Sequence, residues 1–285
     1  MSSEPAESII SNQALNSYVE EKVTVGFLTD PTLCIGCKAC EVACKEWNQL
    51  PDDGYELSGH SYDNTGALGA STWRHVKFVE IDEALTPQIA PSKGGEEPFS
   101  WLFLSDVCKH CDEAGCLEAC PTGALVRTEV GSVLLQDDVC NGCGYCVVAC
   151  PFGVVDRRRG RVPGAGGAFK CTFCYDRQAT GLTPACAKAC PTESILFGPL
   201  DALRRRGVAR VRELEERGYP KASLYDPRTT SVCGTHALFV LVDEPEHFGL
   251  PPAPHAPTEY LSAAWWSALL TAAAVIVATF AVFAW

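Results

Sequence analysis

Cysteine grouping constrains this chain more than any other feature. Of its 17 cysteines, all but Cys233 fall into four quartets within 285 residues. Thiols concentrated in this way are typical either of a disulfide framework or of metal sites. The quartets are Cys34, Cys37, Cys40 and Cys44; Cys108, Cys111, Cys116 and Cys120; Cys140, Cys143, Cys146 and Cys150; and Cys171, Cys174, Cys186 and Cys190.

The spacing of the quartets predicts iron–sulfur clusters. The first and third quartets read C-x2-C-x2-C-x3-C, and Pro151 follows the third, as in the bacterial run that binds [4Fe–4S] clusters. The second and fourth contain longer gaps of four and eleven residues, but they keep the C-x2-C start and the C-x3-C-P end. Small or apolar residues between the sulfurs favour a site that excludes water. The prolines after the last cysteines, Pro121, Pro151 and Pro191, predict helices that begin there.

Two other uses of cysteine fit less well. Disulfide frameworks are typical of short secreted chains, whereas no signal peptide is recognisable here and the odd cysteine total leaves one thiol unpaired. Zinc typically takes two C-x2-C knuckles separated by a longer spacer, so a membrane-tethered zinc protein stays as the alternative of a different class.

The quartets are expected to work in pairs. In two-cluster ferredoxins the fourth cysteine of each run ligates the other cluster, so that two quartets exchange their last members. The short distance from Cys120 to Cys140 favours pairing the second quartet with the third and the first with the fourth. Spacing alone also permits pairing the first with the second and the third with the fourth.

The C-terminal residues 261–285 predict a transmembrane helix. These 25 residues carry no charge, and a helix of that length is about 37 Å long, enough to cross a bilayer. Trp265 and Trp266 at one end and Trp285 at the other are placed as interfacial aromatics. A buried core helix is the alternative.

The remaining sequence predicts an α+β fold. Strands are expected at 73–81, just before Cys108, and at 236–242, with a helix over 200–218. That helix has Leu203, Val208, Val211 and Leu214 on one side. We expect two ferredoxin-like double-[4Fe–4S] modules of short strands and helices, plus the C-terminal transmembrane helix. The predicted divisions are an arm over 1–24, a four-cluster domain over 25–243, a proline-rich linker over 244–260 and an anchor over 261–285, with irregular loops over 82–97 and 157–170.

Charge and missing motifs narrow the function. A formal net charge of -12 argues against nucleic acid as a partner, because phosphate contacts need Lys and Arg. The sequence has no G-x-G-x-x-G after a strand, no P-loop and no G-x-S-x-G. The six histidines form no zinc or haem pair; His110 is expected at the surface rather than as a hydrogen-bond donor that tunes a cluster, and Cys233 is expected to be a small buried residue.

Several stretches resemble the iron–sulfur subunits of the molybdenum/tungsten bis-pterin oxidoreductases. Within that group the chain looks like the iron–sulfur (β) subunit of membrane-bound formate dehydrogenase, over most of its length from about residue 25 onward. The stretches are CIGCKACEVACKEWN (34–48), TWRHVKF (72–78), SDVCKHCDEAGCLEACPTGAL (105–125), CNGCGYCVVACPFGV (140–154), CYDR…PACAKACPTESI (174–195) and GTHALFVLVDEPEHFGLP (234–251).

The resemblance implies four [4Fe–4S] clusters, since all sixteen ligand positions are cysteine. It also implies that this subunit carries no catalytic residue. The first quartet then pairs with the fourth, and the second with the third. The implied ligand sets are Cys34, Cys37, Cys40 and Cys190; Cys171, Cys174, Cys186 and Cys44; Cys108, Cys111, Cys116 and Cys150; and Cys140, Cys143, Cys146 and Cys120.

The resemblance also implies a respiratory electron-transfer subunit. Its expected partners are a molybdenum or tungsten α subunit that oxidises formate and a cytochrome b γ subunit, in the bilayer, that reduces quinone. The corresponding subunit of a membrane-bound hydrogenase or of another bis-pterin oxidoreductase is the alternative of the same class. We expect a single-pass protein of the cell membrane. The lack of Lys and Arg over 243–260 slightly favours an extracytoplasmic domain, exported on a partner's signal.

Overall fold

The computed structural model describes residues 22–53, 59, 63–81, 85, 100–158 and 166–283. The predicted arm up to residue 21, most of the predicted loop over 82–97, residues 159–165 of the other predicted loop and Trp285 lie outside the described residues.

Short strands and helices alternate along the described residues, as the α+β prediction requires. The strands are β1 Val25–Thr29, β2 Arg74–Ile81, β3 Ser100–Val107, β4 Leu125–Arg127, β5 Val133–Leu135, β6 Asp156–Arg157, β7 Ala168–Phe169, β8 Ile195–Pro199, β9 Ser223–Tyr225 and β10 Ala237–Leu241. The α-helices are α1 Ala39–Trp47, α2 Gly115–Glu118, α3 Tyr145–Val148, α4 Tyr175–Ala179, α5 Ala185–Lys188, α6 Leu200–Glu216 and α7 Leu261–Phe283. Two 3-10 helices, Pro245–Phe248 and Pro257–Tyr260, precede α7.

A four-stranded sheet forms the centre, in the order β8-β1-β10-β9. Strand β1 runs parallel to β10 and antiparallel to β8, with Phe27 opposite both Ala237 and Phe197. Every residue of β1 and of β10 is buried, which explains why both strands read as continuous apolar runs rather than alternating ones. Segments far apart in sequence therefore meet at this sheet.

Three two-stranded antiparallel pairs surround that sheet: β2 with β3, β4 with β5, and β6 with β7. The pair β2–β3 runs in register from Arg74 opposite Val107 to Ile81 opposite Ser100, and it leads directly into Cys108. The strands predicted at 73–81, before Cys108 and at 236–242 are confirmed within one residue.

Helix α6 packs along the central sheet. Leu203 and Leu214 are fully buried, and a Cβ at Gly207 would lie 2.7 Å from Leu224, so the helix approaches the sheet closely at that glycine. Val208 is 44% exposed, so the prediction that it lies on the same side of the helix as Leu203 and Leu214 was wrong. It lies five residues after Leu203, which rotates it about 140° away from that side of the helix.

The prolines after the last cysteines do not open helices. Pro121, Pro151 and Pro191 lie in turns, and the short helices α2, α3 and α5 end just before the cysteines instead. A strand follows each of these turns, since β4 begins at Leu125, β6 at Asp156 and β8 at Ile195. The helix prediction at these prolines was therefore wrong.

The C-terminal helix α7 stands clear of the rest of the described residues. It is long and apolar enough to cross a membrane, and none of its most hydrophobic stretch is buried, which contradicts the alternative of a core helix. The preceding segment, predicted as a linker, packs against the domain through the buried side chains of Phe248, Leu250 and Ala256.

Candidate iron–sulfur centres

All seventeen cysteines are free thiols, and the structure places sixteen of them in four groups. Each group takes three cysteines from one quartet and one from another. The first group is Cys34, Cys37, Cys40 and Cys190; the second is Cys171, Cys174, Cys186 and Cys44; the third is Cys108, Cys111, Cys116 and Cys150; the fourth is Cys140, Cys143, Cys146 and Cys120.

The first group surrounds a cavity. Its four cysteines line a narrow space together with residues that include Val76, Ser105 and Ser194. Burial raises the pKa of Cys34, and the neighbouring charges of Cys190 and Cys37 raise it further. Helix α1 contributes Cys40, and the turn after α5 contributes Cys190, so two distant stretches form one site.

Electrostatic contacts define the second group. Burial raises the pKa of Cys44, and the charges of Cys171, Cys186 and Cys174 then raise it further. Cys44 lies on α1, whereas its three neighbours belong to the fourth quartet. A single helix therefore carries one member of each of the first two groups.

The third and fourth groups exchange their last members in the same way. Burial raises the pKa of Cys111 well above its usual value, and Cys108, Cys150 and Cys116 add to that effect. Burial likewise raises the pKa of Cys146 to about 11, with contributions from the charges of Cys140, Cys120 and Cys143, in that order.

The four C-x2-C loops share one backbone feature. The residue just before the second cysteine has a positive φ in every quartet: 67° at Gly36, 45° at His110, 71° at Gly142 and 62° at Phe173. Glycine adopts this conformation without strain, whereas His and Phe rarely do. The stretched second and fourth quartets thus form the same local loop as the two regular ones.

Packing holds the two non-glycine residues in that conformation. The rings of His110 and Phe173 contact each other at 4.5 Å, and Phe173 also packs edge-on against Phe27 at 4.8 Å. The His110 Nδ1 accepts a hydrogen bond from the Val133 amide at 3.1 Å. His110 is 1% exposed, so the expectation of a surface position was wrong. Its apolar neighbour Phe173 and its place inside the second quartet explain the burial.

The four groups lie in a row. Where two groups meet, burial raises the pKa of a cysteine in one group most strongly, and the charge of a sulfur in the next group raises that pKa further. We call each such meeting point a junction. The first group therefore adjoins the second, the second adjoins the third, and the third adjoins the fourth. The cysteines that meet at these junctions are Cys40 and Cys186, Cys171 and Cys108, and Cys116 and Cys146.

The donor set and the surroundings fit iron–sulfur clusters. The thiols of Cys44, Cys108 and Cys171 are deeply buried and their pKa values are raised, chiefly by burial and in addition by neighbouring sulfurs. Metal binding replaces the protons of such thiols, because the ligand is the thiolate. Among the described residues, no three His, Cys, Asp or Glu side chains converge closely enough for a single metal ion.

Three buried cations lie beside these sulfurs, and the sequence patterns did not single them out. Arg74, Lys109 and Lys170 are each at most 2% exposed. Lys109 pairs with Asp106, whereas Lys170 donates to the backbone carbonyl oxygens of Val133 and Cys171. A cation beside a quartet cysteine is the signal that could have identified Lys109 and Lys170, whereas Arg74 lies in a strand that carries other charged residues and gave no such signal.

Hydroxyl groups also lie near the sulfurs. The Ser105 hydroxyl is 3.2 Å from the Cys40 Sγ, and the Thr122 hydroxyl is 3.6 Å from the Cys120 Sγ. The sequence C-P-T recurs at 190–192, where Thr192 lies 3.9 Å from the Cys190 sulfur. Hydrogen bonds to cluster sulfurs are one means by which proteins set reduction potentials.

Cys233 stands apart from the four groups. It is exposed and has a φ of 56°, so its predicted burial was wrong. The strained turn before β10 points this residue outward, which a sequence pattern could not reveal.

Comparison with known proteins agrees with this architecture. Two profiles of a 4Fe-4S dicluster domain match the chain, over residues 33–124 and 99–200. The molecule is thus an iron–sulfur electron-transfer protein built from two dicluster domains of mixed helix and strand, as the fold-class prediction stated.

Curated relatives narrow the class to one family. The protein is 39% identical to the formate dehydrogenase iron-sulfur subunit of Haemophilus influenzae over 90% of its own length and 77% of that protein. It is 38% identical to the nitrate-inducible formate dehydrogenase iron-sulfur subunit of Escherichia coli, over 96% and 90%. The B subunit of the anaerobic dimethyl sulfoxide reductase of Escherichia coli is 32% identical, over 70% and 86%. This protein belongs to the family of formate dehydrogenase iron–sulfur subunits, which confirms the resemblance seen in the sequence.

Proposed function

We propose that this protein carries electrons, one at a time, through four [4Fe–4S] clusters held by the four cysteine groups. The observation that carries the proposal is the row of four groups, each made of four thiols that two quartets share. A bound cluster supplies a one-electron centre. The protein's own residues hold these centres next to each other, exclude water from them and place charges and hydroxyls around the sulfurs.

We further propose that the electrons come from a formate-oxidising molybdenum or tungsten subunit and leave to a cytochrome b–quinone site in the bilayer. The names of the relatives support formate as the electron source. The position of the anchor supports the direction. The 3-10 helix Pro257–Tyr260, from which α7 continues, contacts α2, where a Cβ on Gly115 would lie 3.3 Å from Pro257. Helix α2 carries Cys116 of the third group, so the third and fourth groups lie nearest the membrane end of the row, and the first group is proposed to receive electrons.

The proposed boundaries follow from the same placement. A domain over 25–243 would hold all four groups, residues 244–260 would connect it to the bilayer and 261–285 would span it. The absence of Lys and Arg over 243–260 supports an extracytoplasmic domain. Protease digestion of intact and of inverted membrane vesicles measures on which side of the membrane the domain lies. Cleavage of the domain only in inverted vesicles would contradict an extracytoplasmic position.

The test is anaerobic purification in mild detergent with whatever subunits accompany the protein. We expect a brown preparation in which this polypeptide contributes about sixteen iron atoms and four one-electron iron–sulfur transitions, in addition to the haem of a co-purified cytochrome b, in a redox titration followed by paramagnetic resonance, together with formate-dependent dye reduction. If hydrogen rather than formate reduces the clusters, a membrane-bound hydrogenase complex is favoured. If dimethyl sulfoxide oxidises the reduced clusters, another bis-pterin oxidoreductase complex is favoured. A colourless protein that contains zinc would contradict the proposal.

Two cysteine variants provide matched controls. Cys146→Ser should lose one transition, because Cys146 belongs to the fourth group, whereas Cys233→Ser should keep all four, because Cys233 is exposed and outside the groups. Equal iron contents in the two variants would contradict the ligand assignment.

A further inference from the structure

Arg74 is a buried cation whose charged neighbours are cysteine sulfurs. Arg74 lies on β2, and only 1% of its surface is exposed. Its Nη1 donates to the Ser105 carbonyl oxygen at 3.1 Å, its Nη2 donates to the Cys186 Sγ at 3.3 Å, and its Nε has no hydrogen-bond partner. Among the described residues Arg74 forms no ion pair with a carboxylate. An isolated buried charge is costly unless something of opposite charge compensates it.

The position of Arg74 lies at a junction of the row. Cys186 belongs to the second group, and Cys40 of the first group lies 3.2 Å from the hydroxyl of Ser105, whose carbonyl oxygen Arg74 contacts. Burial raises the pKa of Cys40 to about 11, and the charge of Arg74 is the largest influence that lowers it. The guanidinium thus acts on sulfurs of both groups.

We propose that the positive charge of Arg74 raises the reduction potentials of the two clusters held by the first and second groups. The inference rests on the proposed function, because it assumes that both groups hold clusters. Reduction adds one electron and no proton to a cluster held by four thiolates, so the negative charge of the site increases by one. A fixed positive charge in a low-dielectric interior stabilises the more negative form, and a hydrogen bond to a ligating sulfur acts in the same direction.

The chemistry of arginine suits this role. The guanidinium keeps its charge at any pH that the protein meets, and its planar set of donors can serve a sulfur and a carbonyl oxygen at once. The guanidinium also stacks 4.9 Å from the centre of the Phe27 ring, which fixes its orientation. Lysine at this position would keep the charge but could not reproduce both contacts.

The test compares Arg74→Gln, which removes the charge, with Arg74→Lys, which keeps it, in the complete anaerobically purified complex. In a redox titration followed by paramagnetic resonance, Arg74→Gln should shift two of the four transitions to lower potential. We expect at least a tenfold lower ratio of reduced to oxidised cluster at a given potential, equivalent to about 59 mV for one electron. Arg74→Lys keeps the charge but loses one of the two contacts, so it should shift the same two transitions in the same direction by clearly less than Arg74→Gln does.

A surface variant controls for net charge. Lys221→Gln removes one positive charge from a side chain that is 47% exposed and pairs with Asp243, and it should shift no transition. The inference is overturned if Arg74→Gln shifts no transition, if it shifts all four alike, or if Arg74→Lys shifts two of them as far as Arg74→Gln does.

Iron content separates an effect on potential from an effect on assembly. If Arg74→Gln loses iron, the iron content and the two potentials of Arg74→Lys decide between the explanations. A role for the charge is supported if Arg74→Lys restores both, and the inference is overturned if it restores neither. The proposed function fails in a different way, because the wild-type protein would then lack the four transitions altogether.

Discussion

At the residue scale, the charges of Arg74 and Lys109 are compensated in two different ways. Arg74 faces sulfurs, whereas Lys109 and Lys77 face the carboxylate of Asp106 at the end of β3. Burial acts to raise the pKa of Asp106, but the charges of Lys109 and Lys77 outweigh it and hold that pKa below its usual range. Because β3 leads into Cys108, this ion pair supports the loop of the third group.

We therefore expect Asp106→Asn to destabilise the protein strongly. The substitution leaves Lys109, which is 1% exposed, buried without its partner, and breaking a buried ion pair from one side costs about 3–5 kcal/mol. The anaerobic denaturation midpoint and the iron content at neutral pH measure the effect. The control is Asp201→Asn, since the Asp201 side chain is 83% exposed and its pair with Arg204 should contribute little.

The stability that Asp106 contributes depends on pH in a definite direction. Because the pKa of folded Asp106 lies below the value of about 3.9 for an unfolded aspartate, its contribution is complete above that value and is lost as the pH falls through the folded pKa. The difference in stability between wild type and Asp106→Asn should thus be the same at pH 8 and pH 5. A difference that shrinks over this range would contradict the assignment.

At the element scale, the turn between β4 and β5 depends on a glycine. Gly131 has a φ of 88°, and a Cβ at this position would overlap the His236 ring. That ring lies between the Val25 carbonyl oxygen, at 2.8 Å, and the Asp112 carboxylate, at 3.0 Å. The turn thus packs a hairpin that adjoins the third group against the central sheet.

Gly131→Ala should lower the thermal unfolding midpoint more than Gly66→Ala does. Both glycines have a positive φ, 88° and 73°, but nothing lies within 4 Å of a Cβ at Gly66. The backbone strain is therefore common to both, and the overlap with His236 adds about 1–3 kcal/mol at Gly131 only. Thermal unfolding followed by circular dichroism under argon measures this, and equal shifts would show that the turn relaxes freely.

At the scale of the whole molecule, the cluster-bearing domain and the anchor are built by different physics. The domain buries its apolar side chains against the central sheet, whereas the large apolar side chains of α7 stay exposed, Phe280 at 72% and Phe283 at 85%. An apolar helix that no other part of the described molecule covers is stable in lipid and is an aggregation risk in water.

A truncated protein that ends at Tyr260 should therefore be soluble without detergent and keep the iron content of the full-length protein. The reason is that Phe248 and Leu250 are buried in the domain before the anchor begins, while the anchor covers none of the cysteine groups. Sedimentation of a membrane preparation and iron analysis of the supernatant are the measurements. Loss of iron on truncation would show that α7 is part of the domain's fold.

Cysteine spacing, apolar runs and an uncharged C-terminus were enough to predict the class of protein, its mixed fold and the long helix, because these features are local. Local sequence also located β2, β3, β10 and α6 nearly to the residue. It failed at Pro121, Pro151 and Pro191, because whether a proline opens a helix or a turn depends on what the following residues pair with.

Tertiary structure alone decided which residues surround the sulfurs. The order of the four groups, the burial of His110, the exposure of Cys233 and the place of Arg74 between Cys40 and Cys186 all depend on contacts between distant segments. The physical reason is that β1, β8 and β10 join residues about 170 to 210 positions apart into one sheet, and this brings the first and fourth quartets together. Spacing determined that the thiols would bind clusters in this kind of protein, whereas the sheet determined which thiols share a site and which charges lie beside them.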